Sequence, residues 1–351
     1  MTVVIAVDGM GGDNAPHAVL EGLVLSGKSF PDVSFLLFGD EAILAPLVDR
    51  HNLQDAVTLV HTDERVLNET PAAQAIRSLR RSSMRLAIEA VKSGKAHGVV
   101  SSGNTGAYMA LSKILLKTLD GIDRPAIVST MPTPTGATVM LDLGANIEAS
   151  PAHLIQFSQM GQAYSKHVLG VSSPSIGLLN IGSEDLKGHA ILKETQELIR
   201  SKKLLPHFYG FIEGDDILAG TVDVVVTDGF TGNVSLKSME GTIKFFSGLM
   251  KREFKRSFFA KIGILFAARA LKRLKNQVDP RLYNGAPFLG LKGVAVKSHG
   301  GADEIAFAAA LKVAIEMVQS KVNDQILADI QKAQESLDLE DTSLQSEKSA
   351  L

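Results

Sequence analysis

Along the chain, short runs of β-branched and other apolar residues alternate with longer segments whose apolar residues recur at helical spacing. We predict strands over residues 3–8, 33–38, 57–61, 97–101, 125–131, 136–142, 175–180, 222–227 and 291–297. Helices are predicted between most of them. Strands that are apolar on both faces are typical of a parallel sheet covered by helices on both sides, so the sequence indicates an α/β fold.

Helix starts are marked by a few polar residues and prolines. Pro16 opens a predicted helix from about Ala15 to Ser26, and Asp40 and the pair Ser150-Pro151 are further start signals. Residues 302–333 carry one long helical pattern, and the final residues, rich in Ser, Asp and Glu, are typical of a solvated tail.

The strands over 125–131 and 136–142 are separated by too few residues for a helical crossover, so we predict an antiparallel hairpin and a mixed sheet. No internal repeat or Pro/Gly-rich linker divides the chain. We therefore predict one α/β body over 1–335, followed by a disordered tail over 336–351.

Polar and glycine residues follow many of the predicted strands. The longest such stretch runs from Asp223 to Lys237, where an apolar strand stops at Asp228-Gly229 and a helical pattern begins after Asn233. Five more junctions look similar, over 8–14, 101–106, 142–146, 180–184 and 297–303. Such junctions leave backbone N–H groups free to bind an anion. Because the carboxyl ends of parallel strands share one edge, we expect a single cleft built from these loops.

Composition excludes several kinds of site. The 351 residues include no Cys, so the chain forms no disulfide, no thiolate metal site and no acyl-cysteine intermediate. The amino terminus lacks the features of a signal peptide, and no run of about 18 apolar residues is present. We therefore expect a cytoplasmic protein without a transmembrane helix.

Two glycine patterns resemble nucleotide-binding motifs without their context. Gly22 to Ser29 matches the P-loop letter for letter, but a predicted helix precedes it and a strand follows, the reverse of the required order, so Gly27 is interpreted as a helix C-cap. Gly9 to Asn14 follows a strand as a dinucleotide fingerprint would, but its third glycine is missing. Neither pattern favours nucleotide binding.

Taken in order, the junctions resemble the motifs of the bacterial phosphate acyltransferase family. The matching stretches are Asp8–Pro16, Ser102–Ala107, Asp142–Asn146, Leu178–Gly182 with Lys187-Gly188, Asp228–Asn233, Tyr283–Ala286 and Lys297–Gly300. The resemblance implies transfer of a long acyl group from acyl carrier protein to inorganic phosphate. The acyl phosphate formed would serve a membrane glycerol-3-phosphate acyltransferase. The resemblance also implies a homodimer. The fold it implies is a three-layer α/β/α fold with a mostly parallel mixed sheet, similar to that of phosphotransacetylases and isocitrate dehydrogenase-like proteins.

The candidate residues suit a reaction in which phosphate is the nucleophile, because positioning and charge stabilisation then do most of the work. The catalytic candidates are Lys187, Asn233, Asp228, Lys297 and His299. The phosphate- or substrate-binding candidates are Asp8, Gly11, Gly12, Asn14, Ser102, Gly103, Asn104, Thr105, Asn146, Asn180, Gly229 and Gly232. Each also has a structural interpretation, as a solvated lysine, a loop histidine, or a turn or cap residue. We expect no metal, no cofactor and no nucleic acid.

Charge is distributed unevenly, although the net charge is only −2. Lys244 to Lys275 contains ten Lys or Arg residues and a single acid, Glu253, together with apolar residues at helical spacing. We predict contact with an anionic membrane surface or with acyl carrier protein through Lys255, Arg256, Phe258, Phe259, Ile262, Leu265, Phe266, Arg269 and Lys272. A dimer-core helix with a solvated basic edge is the alternative.

Other functions stay open from the residues alone. A phosphotransacetylase or an NAD-dependent dehydrogenase on the same fold is the enzyme alternative. A membrane-surface scaffold is the alternative of another class, but polar glycine loops at so many strand ends favour an enzyme, since a scaffold needs no anion-binding cleft.

Overall fold

The computed structural model describes residues 2–134, 136–256, 263, 266–273 and 279–332. The strands are β1 Val3–Asp8, β2 Val33–Gly39, β3 Val57–His61, β4 Gly98–Ser101, β5 Ala126–Thr133, β6 Gly136–Leu141, β7 Ile176–Leu179, β8 Phe208–Ile212, β9 Val224–Val226, β10 Ala286–Leu289 and β11 Val294–Lys297. The helices are α1 His17–Ser29, α2 Glu41–Arg50, α3 Ala72–Arg77, α4 Ser83–Lys92, α5 Thr105–Leu116, α6 Pro151–His167, α7 Ala190–Ser201, α8 Asp216–Ala219, α9 Gly229–Arg256 and α10 Glu304–Gln319. A 3-10 helix covers Pro280–Tyr283, and 266–273 and 322–332 are also helical.

The described strands form one sheet in the order β3-β2-β1-β4-β11-β10-β5-β6-β9-β7-β8. Seven of the ten pairings are parallel, and the three antiparallel ones join β11 to β10, β10 to β5, and β5 to β6. The mixed, mostly parallel sheet and the β5–β6 hairpin are therefore confirmed.

Three successive antiparallel pairings reverse the strand direction between the two parallel groups. The strands β3-β2-β1-β4-β11 run one way, and β6-β9-β7-β8 run the other way. The expectation that all six loop junctions share one edge is therefore wrong. The two pairings of β10 cancel and leave β5 parallel to β11, so the net reversal comes from the β5–β6 hairpin. Strand β10 itself was not predicted.

The two groups of carboxyl ends nevertheless approach each other, because β10 is short. Lys297 at the end of β11 pairs with Ala286, while Ile127 of β5 pairs with Phe288, two positions further along β10. The Leu143 N–H, just beyond the end of β6, donates to the Ile127 carbonyl. The loops after β11 and β6 therefore face a common central region of the sheet.

Helices cover both faces of the sheet, which confirms the three-layer architecture. Successive strand residues alternate between two buried clusters: Ile5 and Val7 pack in one, and Ala6 packs in the other. Helices α1, α6 and α10 contribute to the first cluster, and α4 and α5 contribute to the second. None of the described helices has the length and apolarity needed to cross a membrane.

Some local expectations change. Helix α1 runs from His17 to Ser29, so Gly27 lies inside the helix rather than at its C-cap, and the P-loop-like stretch forms no loop. Helix α9 begins at Gly229, before Asn233. The long pattern over 302–333 divides at Lys321, whose φ of 51° interrupts the helix. Strand β8 was not predicted.

The start signals at Asp40 and Ser150 are confirmed. Asp40 accepts a hydrogen bond from the Ala42 N–H, and Ser150 forms a capping box with His153. The predicted tail over 336–351 lies outside the described residues, as do Phe258, Phe259, Ile262 and Leu265.

Gly232 and Gly241 of α9 provide a matched test of the close contact between α9 and the Asp142 loop. A Cβ at Gly232 would collide with the Asp142 carbonyl oxygen, whereas a Cβ at Gly241 would meet nothing within 4 Å. We predict that Gly232→Ala destabilises the protein by about 1–3 kcal/mol, as overpacking does. Gly241→Ala should stabilise it by about 0.5–1 kcal/mol, because alanine favours the helix. Urea unfolding measures both changes, and equal stability of the two variants would contradict the contact.

Candidate active site

A cavity of about 460 Å³ lies where the loops after β11 and β6 meet helix α9. Its polar side includes Thr105, Asn233, Asn284, Lys297 and His299. Its apolar side is formed by Ile127, Met131, Leu143, Leu218, Leu236, Met239 and Ile243. One cavity thus combines cationic and amide side chains, and the Glu240 carboxylate that pairs with Lys237, with an aliphatic wall.

Lys297 is the most unusual residue of the cavity, since its side chain is buried although it carries an ammonium group. Only 8% of the residue is exposed. Its Nζ donates to the carbonyl of Ser102, at 3.1 Å, and to the carbonyl of Ser298. Burial lowers the pKa of Lys297 to about 8, and the charges of Asp8 and Asp13 oppose that shift. Within the described chain its third N–H donor has no acceptor, so it is available to an anion in the cavity.

Asp8 lies behind Lys297 rather than in the cavity. Its carboxylate accepts hydrogen bonds from the hydroxyls of Ser83, at 2.6 Å, and Ser101, at 2.7 Å, and it is 1% exposed. Burial raises the pKa of Asp8, while the two hydroxyl hydrogen bonds lower it. Because Ser101 and Lys297 are register partners on β4 and β11, this cluster joins three strand ends into one polar platform.

The loop around His299 is held by Asn284. The Asn284 side chain accepts from the His299 N–H at 3.0 Å and donates to the Ser298 hydroxyl at 2.8 Å and the Ala306 carbonyl at 2.7 Å. His299 Nδ1 in turn accepts from the Gly301 N–H at 3.1 Å, which leaves the proton of the neutral ring on Nε2. Burial first, and then the charges of Lys237 and Lys297, lower the pKa of His299. His299 is therefore a neutral N–H donor.

Asp142 organises the opposite loop. Its carboxylate accepts from the N–H groups of Ile127, Gly144, Ala145 and Asn146 and from the Asn146 side chain. Burial raises the pKa of Asp142, and these hydrogen bonds oppose the rise. The Asn146 carbonyl accepts from the Gly229 N–H at 2.7 Å, which fixes the start of α9. Asn233 reaches the cavity from the second turn of that helix.

Glycines allow the remaining loops to pack behind Lys297. Gly12 has a φ of +102°, and a Cβ there would lie 2.7 Å from the Ser102 Cβ. The Asp13 N–H donates to the Gly300 carbonyl at 2.8 Å, and the Asn14 side chain donates to the carbonyls of Gly301 and Ala302. The loop after β1 therefore clamps the loop after β11.

The structure brings only some of the predicted residues to the cavity: Thr105, Asn233, Lys297 and His299. Gly11, Gly12, Ser102 and Gly103 pack beside the Asp8 cluster. Asn104 caps α5 and Asn146 is buried against Asp142. Asp8, Gly229 and Gly232 are likewise internal contacts.

Other predicted residues lie elsewhere. Asp228 and Asn180 line a second pocket, of about 770 Å³. Asn14 lines a separate shallow pocket. Lys187 forms a surface ion pair with Glu184 at 3.1 Å, so a contact between Lys187 and the cavity would require its loop to move.

Sequence reasoning missed Asn284, Lys237 and the aliphatic wall. Asn284 lies in the Tyr283–Ala286 motif, so its position was marked, although its role was not. Leu236, Met239 and Ile243 recur at helical spacing on α9, which is the signal that could have placed them on one side of the cavity.

Comparison with known proteins identifies the class and then the family. A phosphotransacetylase from Streptococcus pyogenes matches with a TM-score of 0.60 and 16% identity, covering 91% of this chain and 94% of that one. A phosphotransacetylase from Staphylococcus aureus matches with a TM-score of 0.55 and 16% identity, over 91% and 94% of the two chains. At this identity the likeness shows a common α/β/α fold.

In sequence, the chain is much more similar to a second group of proteins than to these phosphotransacetylases. A family model described as "Fatty acid synthesis protein" matches residues 3–325. The phosphate acyltransferase of Paramagnetospirillum magneticum is 51% identical over 325 residues, covering 92% of this chain and 93% of the relative. That of Rhodospirillum rubrum is 50% identical over 334 residues, covering 95% and 96%. The chain belongs to this phosphate acyltransferase family, and it is an acyltransferase.

Proposed function

We propose that this protein transfers a long acyl group from the thioester of acyl carrier protein to inorganic phosphate, giving acyl phosphate for phospholipid synthesis. One observation carries the proposal: the buried Lys297 and an aliphatic wall belong to the same cavity. Phosphate and an acyl chain need those two environments side by side. Cavities of a few hundred Å³ are typical of small-molecule sites.

Phosphate binds at the polar end. The third N–H donor of Lys297 and the Nε2–H donor of His299 contact its oxygens, with Thr105 at the start of α5 beside them. Charge-assisted hydrogen bonds of this kind are about twice as strong as neutral ones. Since His299 is neutral and Lys297 is largely protonated at pH 7, neither removes a proton from phosphate. Both residues orient it.

The acyl transfer is a direct displacement. A phosphate oxygen attacks the thioester carbonyl carbon, a C–O bond forms, and the C–S bond breaks. The proton of hydrogen phosphate leaves with the thiolate, so the products are acyl phosphate and the carrier's thiol. Asn233 faces the same cavity and donates its amide N–H to the oxyanion that forms on the carbonyl oxygen.

The aliphatic wall receives the acyl chain and keeps water from the product. Leu218 of α8, Met131 of β5, and Leu236, Met239 and Ile243 of α9 are among its residues. Burying each CH₂ group contributes about 0.8 kcal/mol, so a long chain binds more tightly than a short one.

The direct test is to incubate the pure protein with palmitoyl carrier protein and labelled phosphate and to trap acyl phosphate with hydroxylamine. We predict product from the wild type and a loss of about tenfold to a hundredfold in kcat/KM for phosphate in Lys297→Met, because one charge-assisted contact is worth about 1.5–3 kcal/mol. Lys28→Met, at an exposed lysine of α1, is the matched control and should retain activity. Absence of acyl phosphate from the wild type would refute the proposed reaction. Equal activity of Lys297→Met and Lys28→Met would remove Lys297 from the site.

We further propose that the basic segment over 244–275 contacts an anionic membrane surface beside the next acyltransferase and contributes to a homodimer. Support comes from its described residues. Phe245 is 68% exposed, Phe246 is 60% exposed and Phe266 is 89% exposed, more apolar area than an isolated helix surface usually leaves to water. Arg269 and Lys272 flank Phe266, and Lys255 and Arg256 end helix α9. Basic residues beside inserted aromatic side chains favour reversible binding to a bilayer.

The test compares two exposed phenylalanines. Phe266→Asp should abolish flotation with anionic liposomes, because the charge opposes insertion, whereas Phe230→Asp, at a 63% exposed position outside the basic segment, should leave flotation unchanged. Light scattering at micromolar concentration reports whether each variant keeps its oligomeric state, and we expect a dimer. Equal flotation of the two variants would contradict the proposed membrane contact, and a monomeric wild type would contradict the proposed dimer.

A further inference from the structure

A separate pocket of about 490 Å³ lies at the amino-terminal ends of β4 and β11. His97 and Gly293, the residues that precede these two strands, both line it. Lys297 stands at the opposite end of β11, so this pocket and the catalytic cavity are at opposite edges of that part of the sheet. The two cavities share strand β11 and helix α5. Helix α5 begins at Thr105 in the catalytic cavity and ends beside Lys117 in this pocket.

Positive charge dominates the rim. Four lysines line the pocket, together with a single carboxylate, Asp324, and we call it the lysine pocket. The lysines are Lys92, Lys117, Lys292 and Lys321. Lys292 pairs with Asp120 at 2.9 Å, and for the other three the described residues contain no ion-pair partner. In a protein whose net charge is −2, such a cluster attracts a multiply charged anion.

Two of these lysines occupy backbone conformations that favour glycine. Lys117, which follows α5, has φ 62° and ψ 170°, a region populated almost entirely by glycine. Lys321, at the break between α10 and the helical residues 322–332, has φ 51°. Glycine would adopt both conformations without strain. Glycine substitution can therefore remove each ammonium group without straining the backbone.

The floor of the pocket is aliphatic. It is formed by Val91, Leu115, Leu116, Met317, Val318 and Val322. No Phe, Tyr or Trp is among its described lining residues, so a nucleobase would find only the His97 ring to stack on. An alkyl group suits this floor better than a nucleotide.

We propose that the lysine pocket binds a phosphomonoester that carries an alkyl group, with the phosphate among the lysines and the alkyl group on the aliphatic floor. The ligand binds without chemical change. The site is independent of the acyl transfer proposed above, because no residue lines both cavities.

Octyl phosphate is the probe, and Lys297→Met is the starting protein, so that binding in the catalytic cavity is weakened. Isothermal titration calorimetry should detect one site. Adding Lys117→Gly and Lys321→Gly should weaken binding at least about tenfold, because two cationic contacts are lost. The same two substitutions should raise the Tm, because glycine removes the strain of a positive φ at both positions. A higher Tm would show that the loss of binding is not caused by unfolding.

The control removes the same number of lysines elsewhere. Lys203, outside the lysine pocket, also has a positive φ, of 51°. Lys203→Gly with Lys28→Ala should leave octyl phosphate binding unchanged. Equal affinity of the two double variants would overturn the proposal, as would inorganic phosphate binding as tightly as octyl phosphate, because the floor would then contribute nothing.

A second arm identifies the source of the ligand. Vesicles containing phosphatidic acid present the same phosphomonoester within a bilayer. If Lys117→Gly with Lys321→Gly lowers vesicle binding as strongly as it lowers octyl phosphate binding, the ligand is a membrane lipid. If vesicle binding is unchanged and octyl phosphate binding is lost, the pocket takes a free alkyl phosphate.

Discussion

The burial of one ammonium group, that of Lys297, is the constraint on which the site depends. Moving a cation out of water is unfavourable, and here two carbonyl groups and the nearby charges of Asp8 and Asp13 offset only part of the cost, so that the pKa of Lys297 falls to about 8. In the folded protein the pKa of Lys297 therefore lies below the value of a lysine in the unfolded chain. Protonated Lys297 therefore opposes folding at neutral pH, and this penalty disappears as the pH rises from about 8 toward the unfolded value. A bound dianion would remove the same penalty, which is the physical basis of the proposed phosphate site.

The surrounding loops serve to keep that group in place. Asp8 is held by two serine hydroxyls behind Lys297, and the glycines of the loops after β1 and β4 allow the backbone to approach it. Asn284 fixes the turn that carries His299. Most of these contacts join residues far apart in the chain, so the arrangement of donors around Lys297 results from the sheet topology rather than from any one motif. Preorganised donors of this kind stabilise developing charge without reorganising during the reaction.

Strand reversal at the β5–β6 hairpin explains how the proposed phosphate and acyl sites come together. The first parallel group supplies Lys297 and His299, and the second supplies Asp142 and the helix that carries Asn233. Helix α9 also adds Leu236, Met239 and Ile243 to the aliphatic wall. The proposed reaction needs a polar and an apolar environment within one cavity, and two oppositely directed groups of strands that meet within one sheet provide both.

Much of this could be predicted from the sequence, and the rest could not, for identifiable reasons. The β-branched runs located nine strands, and strand-end polar residues pointed to Thr105, Asn233, Lys297 and His299. Strand β10 escaped prediction because its sequence, APFL, lacks β-branched residues and contains a proline. The predicted β5–β6 hairpin already reverses the strand direction, but the order of the strands across the sheet could not be deduced from the sequence. Asp228 and Asn180 were therefore expected in the same cleft as Lys297. The contribution of Leu236 and Met239 depended on the direction of α9, which spacing alone does not give.

We propose that Lys297 is a buried cation that binds phosphate. Its pKa can be followed directly by NMR of ¹³C,¹⁵N-labelled lysine, with the resonance assigned by its loss in Lys297→Met. We predict a midpoint of about 8 in the free protein, and a rise of about one pH unit or more with saturating phosphate, because a bound dianion favours the charged form. A midpoint that is the same with and without phosphate would contradict the account.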